Sequence, residues 1–274
     1  MVSYLHALQD TLRVGLLPAS LPLARLLSLP HLPDHFGTVA SSALFFWAVQ
    51  LVSPYVAPLV SRSYATLPKR TQHEWHVRVV SVAHVLVMLP MIRESLGKDA
   101  LNRDRAFGWD EAVGSLGSVA NGYVYFLWDT FESILGKGDI GFIIHGIASL
   151  ATFTPLYRPF IAYYAPRALL FELSTPFLNI HWFLDKTGRT GGILQRVNGV
   201  LLLGTFFAVR LCYGAYISYQ LFQTLFDVRG QVSSIGLISV GLGNITLNLL
   251  NWFWFVKMVA ALKKRFAGKR KKSE

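Results

Sequence analysis

The sequence predicts an all-α protein: a polytopic transmembrane helix bundle of about seven spans (six to eight), led by an N-terminal interfacial amphipathic segment. Three observations predict it. Of 274 residues, 53% are hydrophobic and 15% charged, whereas charged residues make up about a quarter of a soluble domain. Apolar runs recur that are long enough to cross a hydrocarbon core about 30 Å thick. The charge is also lopsided: the last eighteen residues carry eight Lys/Arg against one acid, out of a net +11 for the chain. Because that basic stretch follows an apolar helix, it reads as a cytosolic juxtamembrane tail, and no nucleic-acid partner is expected. The single cysteine, Cys212, excludes an intrachain disulfide and a cysteine-based metal site.

Residues 1–35 form the amphipathic segment, with leucines interrupted by Asp10, Arg13 and Arg25 and kinks expected at Pro18, Pro22, Pro30 and Pro33. His31 and His35 stand at the i,i+4 spacing of helical metal ligands, but Pro33 between them argues against a regular helix, and no metal is expected. The bundle occupies residues 36–262. Its first span is 36–60. The second, 75–96, puts Glu74, Arg78 and Ser81 on one face, with Glu74 placed to pair with Arg78. His73 and His76 at its start read as an interfacial pair. The third span, 112–135, aligns Asn121, Tyr125, Asp129 and Glu132. Those carboxylates are either solvated or paired near an interface, or part of a polar cavity.

After a turn at residues 136–138, the fourth span (140–157) carries His145, Ser149 and Thr152 on one face. The fifth, 160–184, contains Pro166 and Pro176 and aligns Glu172, Thr175 and Asn179, with His181 on the other side unless a kink turns it back. Pro176 is expected to free the carbonyl of Glu172. The sixth, 194–222, holds Arg210 at mid-span, which needs a partner among Asp129, Glu132 and Glu172. The seventh, 234–262, presents Asn244, Asn248 and Asn251 as an inward stripe suited to interhelical hydrogen bonds. Ionisable groups persist in hydrocarbon only toward a bundle interior or a watery cavity, which makes spans four and five the expected site.

The tail, residues 263–274, ends Lys271-Lys272-Ser273-Glu274, a KKxx pattern. It resembles the cytosolic dilysine retrieval signals of endoplasmic-reticulum membrane proteins, which implies Lys271 and Lys272 as targeting residues and the COPI coat as a partner. With the tail cytosolic, the loops carrying Arg62, Lys69 and Arg70 and Lys186 and Arg189 are cytosolic too, and the N-terminus is lumenal. No P-loop, HExxH, GxSxG or dinucleotide fingerprint is present, and no cofactor is required.

The blocks YFLWDTFESI, GDIGFIIHGIASL, LLFELSTPFLNIHWFLDK and NLLNWFWFVKMV resemble the TLC-domain family of eukaryotic membrane proteins over residues 70–265. They are closest to its branch outside the ceramide synthases. The resemblance implies a bundle of the endoplasmic reticulum with an intramembrane polar cavity and a role in lipid metabolism. Ceramide synthases carry a His-His pair in the helix matching the fourth span and use it to transfer an acyl group from acyl-CoA to a sphingoid base. Here the pair is His145-Gly146.

Three functions are therefore weighed. The expected one is binding or handling of an acyl lipid or sphingolipid in the cavity, for membrane lipid homeostasis. Its polar lining would be Arg78, Tyr125, Ser149, Glu172, Asn179, His181, Arg210 and Asn248. The alternative is a ceramide-synthase-like acyltransferase with acyl-CoA as co-substrate, His145 as base and Asp129 or Glu132 orienting it. The third, motivated by the dilysine tail alone, is an adaptor cycling between endoplasmic reticulum and Golgi.

Overall fold

A computed structural model describes residues 2–120 and 140–270. Among the described residues the regular structure is helical throughout, and five helices are long and apolar enough to cross a membrane: Leu32–Val60, Lys69–Leu96, Ile140–Tyr157, Ile193–Asp227 and Ser234–Lys263. We label the elements α1 (Val2–Leu27), α2 (Leu32–Val60), α3 (Lys69–Leu96), α4 (Asp99–Arg103), α5 (Glu111–Ala120), α6 (Ile140–Phe153), α7 (Tyr164–Leu169), α8 (Thr175–Lys186), α9 (Ile193–Phe206), α10 (Tyr213–Asp227) and α11 (Ser234–Arg270).

The N-terminal segment is one helix, α1, that runs through Pro18 and Pro22 and packs along α2. Each proline deletes a single backbone donor, which a packed apolar helix tolerates. Pro33 does not break the His31–His35 spacing either. It is the second residue of α2, where the missing N–H would have had no intrahelical acceptor.

The expected fifth span is not a continuous helix. Residues 158–163 turn, α7 follows, a 3-10 turn covers Leu170–Ser174, and α8 begins at Thr175. Pro166 and Pro176 each fall in the first turn of a new helix, where proline is accepted, so they restart helices instead of kinking one. Ile161, at φ +56, lies in this turn. A β-branched residue in that region is strained, and it is held by burial and by its N–H donating to Ala106 O at 2.6 Å. Of the third span, only α5 lies among the described residues.

The core gathers Met88 and Ile92 of α3, Val113 and Leu116 of α5, Phe153, Leu156, Ile217 and Leu221 of α10, and Val240 of α11. One end of the bundle carries Arg62, Lys69, Arg70, Lys186 and Arg189, with Lys263 at the foot of α11. Beneath those charges lies an edge-to-face cluster, with Trp75 at 5.6 Å from Tyr64, 6.2 Å from Trp182 and 4.7 Å from Phe183. That is the basic, aromatic-belted end. At the opposite end His31 N–H donates to Tyr157 O (2.9 Å) and Trp109 Nε1 to Leu156 O (3.2 Å), tying the α1–α2 turn and the 97–110 loop to residues 155–158.

Candidate functional site

Two polar constellations cross the interior of the bundle. The first lies toward the basic end, between α3 and α8. Asn179, 2% exposed, accepts from Arg78 Nη1 at 3.1 Å and donates through Nδ2 to Ser81 Oγ at 3.0 Å. Arg78 also stacks its guanidinium 4.8 Å above the Trp182 ring, one turn beyond Asn179. Helical periodicity explains the match, since Arg78 and Ser81 are three apart and Asn179 and Trp182 are three apart. Glu74 does not pair with Arg78 as its spacing allows. It meets Arg70, at 3.6 Å, one turn earlier in α3. Both pairings satisfy the i,i+4 rule, and an amide 101 residues away claimed the arginine.

The second constellation is centred on Arg210. Between α9 and α10 the helix widens to a π-helical turn over Phe207–Cys212, and Arg210 sits within it. Such turns rotate a side chain out of the α-helical register and are frequent at functional sites. The guanidinium spans three segments: Nε donates to Ser174 Oγ (2.9 Å) and Phe171 O (3.2 Å), Nη2 to Thr175 Oγ1 (3.3 Å), and Nη1 to Asn251 Oδ1 (3.3 Å). Each of these described acceptors is neutral. Phe171, not Glu172, offers the carbonyl, because the Glu172 carbonyl accepts the Thr175 N–H that closes the 3-10 turn. The expected freeing of that carbonyl by Pro176 does not occur.

Two imidazoles lie in the same part of the interior. His145 of α6 lies against Trp254 of α11, ring centroids 5.5 Å apart, and the charges of Arg210 and Glu172 both act on it. His84 of α3, 1% exposed, lies edge-on to Phe46 at 5.6 Å and is also reached by the Glu172 charge. Ser149 is buried one turn beyond His145. Glu172 of the 3-10 turn is thus within electrostatic reach of both His84 of α3 and His145 of α6, and Arg210 of the π turn is within reach of His145.

The other expected residues are distributed around it. Asn248 Nδ2 donates to Ser218 Oγ of α10 (2.9 Å) and to Asn244 Oδ1 (3.2 Å), so the asparagine stripe of α11 is consumed in helix-to-helix bonds, with Asn251 at Arg210. His181 stands apart from Asn179, on the side facing α9, where a Cβ added at Gly199 would lie 3.7 Å from its ring. Tyr125, Asp129, Glu132, Lys271 and Lys272 lie outside the described residues. Among the described residues no group of three or more His, Cys, Asp or Glu is placed to hold a metal ion. His84 escaped the expected site because a lone mid-span histidine carries no partner in sequence. The π turn has no sequence signature at all.

In low-dielectric surroundings the field of an arginine acts over a longer range than in water. It can attract a carboxylate, a phosphate or an ester or amide carbonyl, and an imidazole nearby can exchange a proton.

Comparison with known proteins agrees with this architecture. A family model described as TLC domain matches residues 74–260. The chain is 36% identical over 256 residues to an uncharacterised TLC domain-containing protein of Schizosaccharomyces pombe, covering 91% of this chain and 86% of that one. It is 27% identical over 278 residues to the Topoisomerase I damage affected protein 4 of Saccharomyces cerevisiae, covering 95% and 96%. It is 27% identical over 240 residues to the human TLC domain-containing protein 4, covering 80% and 87%. No solved structure matches.

Proposed function

Because this chain belongs to the TLC-domain family, we propose that it binds an acyl lipid of sphingolipid type within its polar interior and serves membrane lipid homeostasis in the endoplasmic reticulum. The observation that carries this reading is Arg210, fixed at mid-span by Phe171, Ser174, Thr175 and Asn251 with His145 and Glu172 beside it. A cation at that depth costs about 2.5–3.5 kcal/mol on insertion scales, and such groups are retained where they meet a ligand or a pathway. An acyl lipid offers a carbonyl or anionic head for the guanidinium and a chain for the apolar helices around it. The address rests on Lys271 and Lys272 and on the cationic excess at one end of the bundle, which together favour a cytosolic tail.

A second reading, acyl transfer from acyl-CoA, is favoured by one observation: the Glu172 charge acts on His145, the imidazole that would serve as base. Gly146 stands where the second histidine of a ceramide synthase would be, which is why binding ranks first.

The test is mass spectrometry of lipids co-purifying with the wild type and with His145→Ala, followed by incubation with palmitoyl-CoA and a sphingoid base. An acyl lipid retained by both proteins, without product, is the expected result. Product from the wild type and none from His145→Ala would make the protein an enzyme. A preparation that holds no acyl lipid and forms no product would refute both readings.

A further inference from the structure

At the end opposite the basic tail, an open groove of about 890 Å³ runs between the 102–106 turn and the last turns of α10. It shares no residue with the Arg210 neighbourhood. We propose that this groove is a second lipid site, which seats the headgroup of a glycerophospholipid from the adjacent leaflet.

One wall is cationic and rigid. Arg103 ends α4 and Arg105 follows two residues later, and both line the groove. The turn that presents them is closed by Asp104, whose Oδ1 accepts the N–H groups of Ala106 and Phe107 at 2.9 Å each, and whose carbonyl accepts from Gly108 N at 3.0 Å. Gly108 is required there, because a Cβ would strike the carbonyl oxygens of Asp104 and Ala100. Asp104 lines the groove too, so this wall offers Arg103 and Arg105 with the Asp104 carboxylate between them, one of its oxygens held by the backbone.

The other wall belongs to a membrane-spanning helix. Tyr219 and Phe226 of α10 line the groove and are 64% and 63% exposed, so this side opens toward acyl chains. Asp227, at the end of α10, adds a carboxylate at the far rim. Two guanidiniums and two carboxylates beside an aromatic lip match a zwitterionic headgroup, a phosphate with a neighbouring amine, and a chain that leaves sideways.

The walls are coupled at the base by adjacent tyrosines. Tyr163 lies between two arginines, Arg105 Cζ 5.2 Å and Arg167 Cζ 3.4 Å from its ring centroid, while Arg167 Nη2 donates to Asn102 Oδ1 at 3.0 Å. Tyr164 donates its hydroxyl to Gln220 O at 2.9 Å and lies 2.7 Å from Thr224 Oγ1, both on α10. The groove therefore has a fixed width, as a site for one headgroup needs. It is also of ordinary ligand-site size, about 300–1,000 Å³. Binding here does not depend on His145 or Arg210.

The experiment uses the full chain in phosphatidylcholine nanodiscs with a photo-crosslinkable phosphatidylethanolamine as probe, and maps labelled peptides. Labelling is expected on residues 219–228 and 102–106, and Arg103→Gln with Arg105→Gln should lower it about tenfold, the factor set by one lost charge-assisted hydrogen bond. Unlabelled phosphatidylethanolamine should compete; diacylglycerol and inorganic phosphate at millimolar concentration should not. Competition by diacylglycerol would show that the phosphate is not recognised, and competition by inorganic phosphate would make this a free-anion site; either overturns the proposal. Where the double variant fails to fold, Gln223→Trp, an exposed α10 position that fills the groove, decides. It should abolish labelling, and labelling at the wild-type level would overturn the proposal. His145→Ala should leave labelling unchanged, which separates this outcome from that of the interior site.

Discussion

Replacing Asn179 by alanine removes the one side chain that joins Arg78 and Ser81 across the α3–α8 contact. The bond from Arg78 is charge-assisted and contributes about 1.5–3 kcal/mol, and the neutral bond to Ser81 about 0.5–1.5 kcal/mol. Asn179→Ala is therefore expected to cost about 2–4.5 kcal/mol, the two ranges added, and Ser81→Ala about 1–3 kcal/mol, the cost of a buried donor left without its acceptor. The first variant takes a charge-assisted bond from a half-buried guanidinium, and the second leaves the buried Asn179 Nδ2 without its Ser81 acceptor while Oδ1 stays bonded to Arg78. The assay is equilibrium unfolding in mixed SDS–detergent micelles, run as a double-mutant cycle with Arg78→Ala. The cycle should return a coupling of about 1.5–3 kcal/mol between Arg78 and Asn179. A coupling below about 0.5 kcal/mol, the usual scatter of independent sites, would refute the reasoning and mean that Arg78 is held by its stacking on Trp182.

Arg210→Lys keeps the charge and loses the planar fork. One ammonium cannot reach Ser174, Thr175 and Asn251 at once, so stability should fall by about 1–3 kcal/mol for each buried acceptor abandoned, and acyl-lipid retention should fall with it in the co-purification assay. A variant as stable and as lipid-loaded as the wild type would contradict the assignment. Gly114→Ala should be severely destabilising, because the new Cβ strikes the His35 ring and lies 2.8 Å from Trp109 Cζ2. Gly204→Ala, on the open side of α9, should be neutral in the same unfolding assay, as nothing lies within 4 Å of its Cβ.

The spans could be read from the chain because hydropathy and length are local properties, and Ile140–Tyr157 and Ser234–Lys263 fall close to where the apolar runs place them. What could not be read depends on competition between distant groups. Arg70 and Arg78 are equally spaced from Glu74, and only the fold shows that Asn179 takes the second. The need of Arg210 for partners is legible from its depth. That the described partners include two hydroxyls, a carbonyl and an amide follows from the π turn and from Phe171 standing where Glu172 was expected. Pro166 and Pro176 carry the clearest ambiguity: proline within an apolar run signals either a bend or a new beginning, and tertiary packing chose the second.

The helix bearing His145 finds its principal neighbour in α11, the last helix of the chain. The two approach so closely that a Cβ at Gly243 would strike Thr152 Oγ1 and stand 3.0 Å from Ala148 O. During synthesis α6 enters the membrane roughly a hundred residues before this neighbour exists, and chains are made from the N-terminus at about 5–20 residues per second. For that interval α6 and its histidine wait beside lipid or a chaperone. A ribosome that stops short of α11 thus releases a protein with neither Trp254 against the imidazole nor Asn251 against the arginine. The packing of the imidazole and of the guanidinium therefore waits on the synthesis of α11.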